Sequence, residues 1–99
     1  MSEAVASWNG AIIAKCPLAS TQKVEGNIYF PPSALVPENF TPTTTHTTCG
    51  WKGVASYYSV VVNGQSNKDA AWYYPDPLQA AQNIKGHIAF WKGVKVEVV

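Results

Sequence analysis

Ninety-nine residues fall close to the commonest single-domain size, so one domain over 1–99 with one core is expected. The chain is 46% hydrophobic and 12% aromatic, enough large-ring surface for a small core without cross-links. Its seven cations are all lysine against six acids, net +1. Lacking arginine, the side chain that best reads phosphates and guanine edges, the sequence argues against nucleic-acid binding.

In chain order, Ala4–Trp8 and Ala11–Lys15 are strand-like runs separated by Asn9-Gly10. Asn-Gly supplies the two positive φ angles of a type I′ hairpin turn. Pro31–Pro42 then holds four prolines, and Thr41–Thr48 holds six threonines, one proline and one histidine. Proline removes ladder donors and no helical period is present, so a long loop with at most a short helical turn is expected. Loops of that length in small domains are commonly functional. This one delivers the chain to Cys49-Gly50-Trp51-Lys52-Gly53.

Val54–Val62 is aromatic and β-branched, a strand composition, and ends at a second Asn-Gly turn, Asn63-Gly64. Ala70–Tyr74 is expected to pair back with Tyr57–Val62. A helix near 77–85 follows, with Asp76 as its cap, Pro77 in its first turn, Gln79 completing a capping box, and Gly86 ending it. Leu78, Ala81 and Ile84 form its apolar stripe. His87–Trp91 and the strictly alternating Val94–Val98 flank Lys92-Gly93, read as a last hairpin. Trp-Lys-Gly-Val occurs at both 51–54 and 91–94, which shared turn chemistry explains. The overall expectation is a mainly β (α+β) domain with one short helix.

Four ordered segments resemble one family. They are Tyr29-Phe30-Pro31, Thr48-Cys49-x-x-Lys52-Gly53-x-Ala55-Ser56-Tyr57, Ala70-Ala71-Trp72-x-Tyr74-Pro75-x-Pro77, and Ala81-x-x-Ile84-x-Gly86-x-x-Ala89-Phe90. Together they are similar to domain-of-unknown-function family 427 over nearly the whole chain. Where that family carries proline after the cysteine, this chain has Gly50. The resemblance implies strongly bent antiparallel β-sheets, a β-tent-like fold distantly similar to cereblon-type ligand-binding domains. Their zinc-binding relatives use paired CxxC motifs, and this sequence has none.

The candidate site residues centre on the cysteine turn. Cys49 can be a thiolate nucleophile with His46 or His87 as base, or a small buried hydrophobe. Lys52 can meet an anion, or lay its stem on Trp51 with the charge in water. Trp51, Tyr57, Trp72 and Tyr74 can wall a ligand pocket or fill a core. Trp72 and Tyr74 lie two apart on a strand and share a face, while Tyr73 points away. Asp76 has no second carboxylate close in sequence, which disfavours paired-acid chemistry. Six scattered acids give no Mg²⁺-holding set for nucleotidyl transfer.

Cys16 and Cys49 are the only cysteines, so no four-thiolate zinc site can form within the chain. No signal-peptide pattern opens it and no run approaches the roughly 20 apolar residues of a membrane span. A cytoplasmic protein with reduced thiols, no metal, no cofactor and no membrane partner is expected, secretion from a longer precursor staying open. The leading functional expectation is a module binding a small molecule or peptide in an aromatic-lined pocket. A small Cys49-dependent acyl-transfer or hydrolytic enzyme, and an interaction protein or homodimer using sheet edges, are the alternatives.

Overall fold

The computed structural model describes residues 1–99. Strand β1 (Glu3–Trp8) and β2 (Ala11–Pro17) form a hairpin across Asn9-Gly10, whose φ angles of 51° and 79° match a type I′ turn. β6 (Gly53–Val62) and β7 (Gln65–Tyr73) pair across Asn63-Gly64, with φ of 51° and 76°. Tyr57 faces Trp72 in that ladder and Tyr58 faces Ala71, so Ala70–Tyr74 meets the first part of the expected Tyr57–Val62 run, while Val60–Val62 pair with Gln65–Asn67. A further hairpin joins β3 (Gln22–Val24) to β4 (Asn27–Tyr29) through Glu25-Gly26, also at positive φ.

The threonine-rich segment is not a loop. Phe40–Cys49 is a ten-residue strand, β5, antiparallel to β6. Six β-branched threonines, which favour a pleated surface, outweigh the single proline within the segment. Pro42 is tolerated because β5 is the edge of its sheet, and the register breaks between Pro42 and His46. The prolines upstream start two 3-10 turns, Pro32–Ala34 and Pro37–Asn39.

The α-helix near 77–85 is likewise replaced by a 3-10 segment, Gln79–Ile84, kinked at Ala81. Its cap is Leu78 with no side-chain bond, so Asp76 makes no capping box. Two prolines at 75 and 77 hold the entry extended, and too few residues remain before Gly86 for a stable α-helix. Ala81 and Ile84 are nonetheless fully buried, as the apolar stripe required.

Nor is Lys92-Gly93 a hairpin. Its φ angles of 54° and 86° make a tight turn, but β8 (Ile88–Phe90) pairs with β7, whereas β9 (Lys95–Val98) crosses to β1. The sheets are thus β2-β1-β9, β3-β4 and β5-β6-β7-β8, with antiparallel ladders throughout. Register shifts within β5–β6 and between Tyr58 and Val60 bend the four-stranded sheet, since a bulge sharpens local twist.

Both faces of that sheet are covered, by different clusters. One carries Ala71, Ile88 and Phe90 against Ala4, Ala6, Ile13 and Phe30, with Tyr58 and Tyr73 packed alongside. Tyr58 and Tyr73 stack at 4.7 Å with ring planes 19° apart. The other face carries Ala55, Tyr74 and Ala89 against Tyr29, Ala81 and Ile84. Adjacent Tyr29 and Phe30, both fully buried, point into opposite clusters as strand alternation dictates. On the second face Cys49, Tyr57 and Trp72 are only half-covered, and this is where a hollow is left. No helix is long and apolar enough to cross a membrane.

Candidate functional site

The hollow encloses about 190 Å³ and is lined by Lys52, Tyr57, Trp72, Tyr74 and Trp91. Lys52 comes from the turn joining β5 to β6, Tyr57 from β6, Trp72 and Tyr74 from β7 and the bridge beyond it, Trp91 from the end of β8. The turn is pinned from behind. The Leu78 amide donates to the Lys52 carbonyl at 2.9 Å. Gly53 lies at φ 109°, and a side chain there would meet the Leu78 nitrogen at 3.4 Å and Pro77 Cα at 3.6 Å. Glycine is favoured there by the positive φ, since a Cβ would make only ordinary contact with the Pro77-Leu78 corner.

Lys52 is 7% exposed, unusual for a lysine. Its Nζ donates to Glu25 Oε1 at 2.5 Å and lies 5.4 Å from the Tyr74 ring centroid and 5.5 Å from that of Trp51. Burial works against its charge, but the Glu25 hydrogen bond and the nearby Tyr29 and Tyr74 oxygens outweigh burial and leave the ammonium above its ordinary range. Glu25, held by the Lys52 hydrogen bond, lies below the usual carboxylate range. Lys52 is therefore a fixed cation; an imine-forming lysine needs the opposite shift. Glu25 takes one of its three donors and the Tyr74 phenol lies against the same ammonium, so at least one donor is left over.

The rings are held as firmly. Trp72 Nε1 donates to the Tyr29 hydroxyl at 3.2 Å, and its indole meets Tyr29 and Trp91 edge-on at 6.2 Å and 5.8 Å. Trp91 Nε1 donates to the Asp69 carbonyl at 2.6 Å. The Tyr57 and Thr47 hydroxyls are 2.8 Å apart. Burial, with Tyr29 and Cys49 nearby, raises the Tyr74 phenol despite the opposing pull of Lys52. Asp69 anchors the rear of the bulge. Its carboxylate accepts from Thr43 Oγ1 and Thr45 Oγ1, both at 2.7 Å, and these bonds hold it below the usual range.

Of the residues singled out in the sequence, Lys52, Tyr57, Trp72 and Tyr74 meet at the hollow. Trp51 does not line it; 41% exposed, it sits on the outer side of Lys52. Cys49 packs beside the second-face cluster on the face of Thr47. His46 alternates to the other face, where its Nδ1 lies 3.3 Å from Ser56 Oγ. His87 Nδ1 contacts the Lys85 carbonyl at 3.1 Å. No hydrogen bond joins either histidine to Cys49.

Trp91 and Glu25 were missed. The repeated Trp-Lys-Gly-Val was the available signal for the first: each lysine sits over its own tryptophan, Lys92 5.0 Å from the Trp91 centroid. Nothing in the sequence ties Glu25 to Lys52, 27 residues away. No three His, Cys, Asp or Glu side chains converge to hold a metal ion. On the opposite face a larger cleft of about 760 Å³ includes Phe40, Pro42, Tyr58, Tyr73 and Lys85.

These features define a small antiparallel β domain with an aromatic hollow lined on one side by a buried lysine. The chain belongs to the Domain of unknown function (DUF427) family, whose sequence model matches residues 2–99. No curated protein matches it.

Proposed function

We propose that the protein is a binding module whose hollow takes a compact head group of a small molecule or peptide. The observation that carries this is the meeting of four aromatic rings and one buried cation around a single space. Pockets combine apolar walls with a few placed polar groups in this way. At about 190 Å³ the hollow is smaller than the roughly 300–1,000 Å³ of drug-sized sites, so it suits one ring or short branch. Lys52 supplies direction, donating to an oxygen, while Tyr57, Trp72, Tyr74 and Trp91 offer faces and edges to a flat body.

The thiol reading has less support: Cys49 lacks a bonded base and His46 occupies the opposite face. A thermal-shift screen of fragments tests the proposal. Hits for the wild type should vanish in Tyr57→Ala and persist in Tyr73→Ala, which alters the other face. Hits that survive Tyr57→Ala but not Tyr73→Ala would move the function to the larger cleft, and an empty screen would count against a binding module.

A further inference from the structure

The Lys52–Glu25 pair is lopsided. The Lys52 side chain is 9% exposed, and the turn that carries it is pinned by the Leu78 amide. The Glu25 side chain is 52% exposed and stands at the tip of the short β3–β4 hairpin. A buried ammonium needs an anionic or strongly accepting neighbour; a half-exposed carboxylate does not, because water will solvate it. One member of the pair is replaceable and the other is not.

The backbone agrees. Glu25 occupies the first position of a tight turn at φ 54°, the place filled by Asn9 and Asn63 in the two Asn-Gly hairpins. Asparagine suits that left-handed conformation and glutamate does not. What glutamate brings is reach: its carboxylate extends from the hairpin tip to the Nζ of Lys52, a residue that also lines the hollow.

Resting on the reading of the hollow as a binding site, we propose that its ligands are monocarboxylates with a flat apolar body, and that Glu25 is a built-in competitor whose carboxylate holds Lys52 until the ligand's displaces it. The ligand acid takes the Lys52 donors, its body lies among Tyr57, Trp72 and Trp91, and Glu25 turns out to water. Charge is conserved at the buried site, one carboxylate replacing another. A neutral ligand of the same shape gains no such exchange.

Benzoate, its neutral analogue benzamide and an acetylated dipeptide ending in phenylalanine are the probes, titrated while the indole Nε1–H signals of Trp72 and Trp91 are followed. Wild type should bind benzoate in preference to benzamide. Glu25→Gln, which keeps the side chain's size, should tighten benzoate about tenfold and leave benzamide unchanged; Glu25→Asp, too short to reach Nζ, should shift the same way. Lys52→Met should lose benzoate. Binding of the dipeptide acid at least as tightly as benzoate would assign the carboxylate to a peptide C-terminus; weaker binding would assign it to a small free acid.

Benzoate affinity unchanged or weakened in Glu25→Gln, or equal binding of acid and amide, would overturn the competitor while leaving the hollow a binding site. If no probe moves either indole signal in any variant, this proposal fails together with the reading beneath it.

Discussion

Tyr29→Phe tests whether the wall of the hollow is actively positioned. Tyr29 is fully buried, and its hydroxyl accepts the only protein hydrogen bond made by Trp72 Nε1. The substitution keeps the ring, its area and its edge-on contact with Trp72 at 6.2 Å. It removes one acceptor and leaves an indole N–H behind. A neutral hydrogen bond contributes about 0.5–1.5 kcal/mol net, and a stranded buried donor costs about 1–3 kcal/mol. Trp72 is only half-buried, so water from the hollow can rescue part of that loss. The expected cost is about 1–2 kcal/mol, or about 5–15 °C in Tm for a domain of this length. Urea unfolding at constant m gives the first number. The Trp72 Nε1–H resonance gives the cause, since it should move toward a solvated position while Trp8 Nε1–H stays. A stability change below about 0.5 kcal/mol with an unmoved Trp72 signal would refute the positioning argument.

Ile84→Ala, at a fully buried site in the 3-10 segment, should cost about 2–4 kcal/mol in urea unfolding, and a near-neutral result would remove that segment from the core. Asp69 has its carboxyl held low by Thr43 and Thr45, so its contribution is present above the unfolded value near 3.9 and lost as pH falls through the lower folded one. Asp69→Asn should therefore be less stable than wild type at pH 7, with the gap closing below about pH 4; a gap independent of pH would contradict the assignment. Burial, reinforced by Glu3, raises the Cys16 thiol, while Cys49 is half-exposed. Iodoacetamide near neutral pH should label Cys49 at least about tenfold faster, and Cys16 reacting first, read by peptide mass, would be inconsistent with the fold.

Local chemistry was the most legible part of the sequence. Asn9-Gly10 and Asn63-Gly64 carry their geometry in two residues, and the alternation of Trp72, Tyr73 and Tyr74 correctly divides them between faces. Where competing local signals met, the reading failed. In Thr41–Thr48 proline argued for a loop and threonine for a strand, and sheet pairing with β6 settled the matter. At Asp76–Gly86 the capping residues were present but the proline-held entry left no room to use them. Lys92-Gly93 makes the tight turn its residues allow, yet which strand β9 joins is decided by β1, some ninety residues earlier in the chain. Lys52, Tyr57, Trp72 and Tyr74 were legible as candidates because aromatic and cationic residues cluster there in sequence. Their counterpart Glu25 was not, since a contact spanning 27 residues leaves no local trace.

Intermolecular nuclear Overhauser effects from a bound fragment locate its contacts most directly. For any fragment that raises Tm, cross-peaks should run from its ring protons to the rings of Tyr57, Trp72 and Trp91. Cross-peaks confined to Tyr58, Tyr73 and Phe40 would place binding on the opposite face and contradict the account.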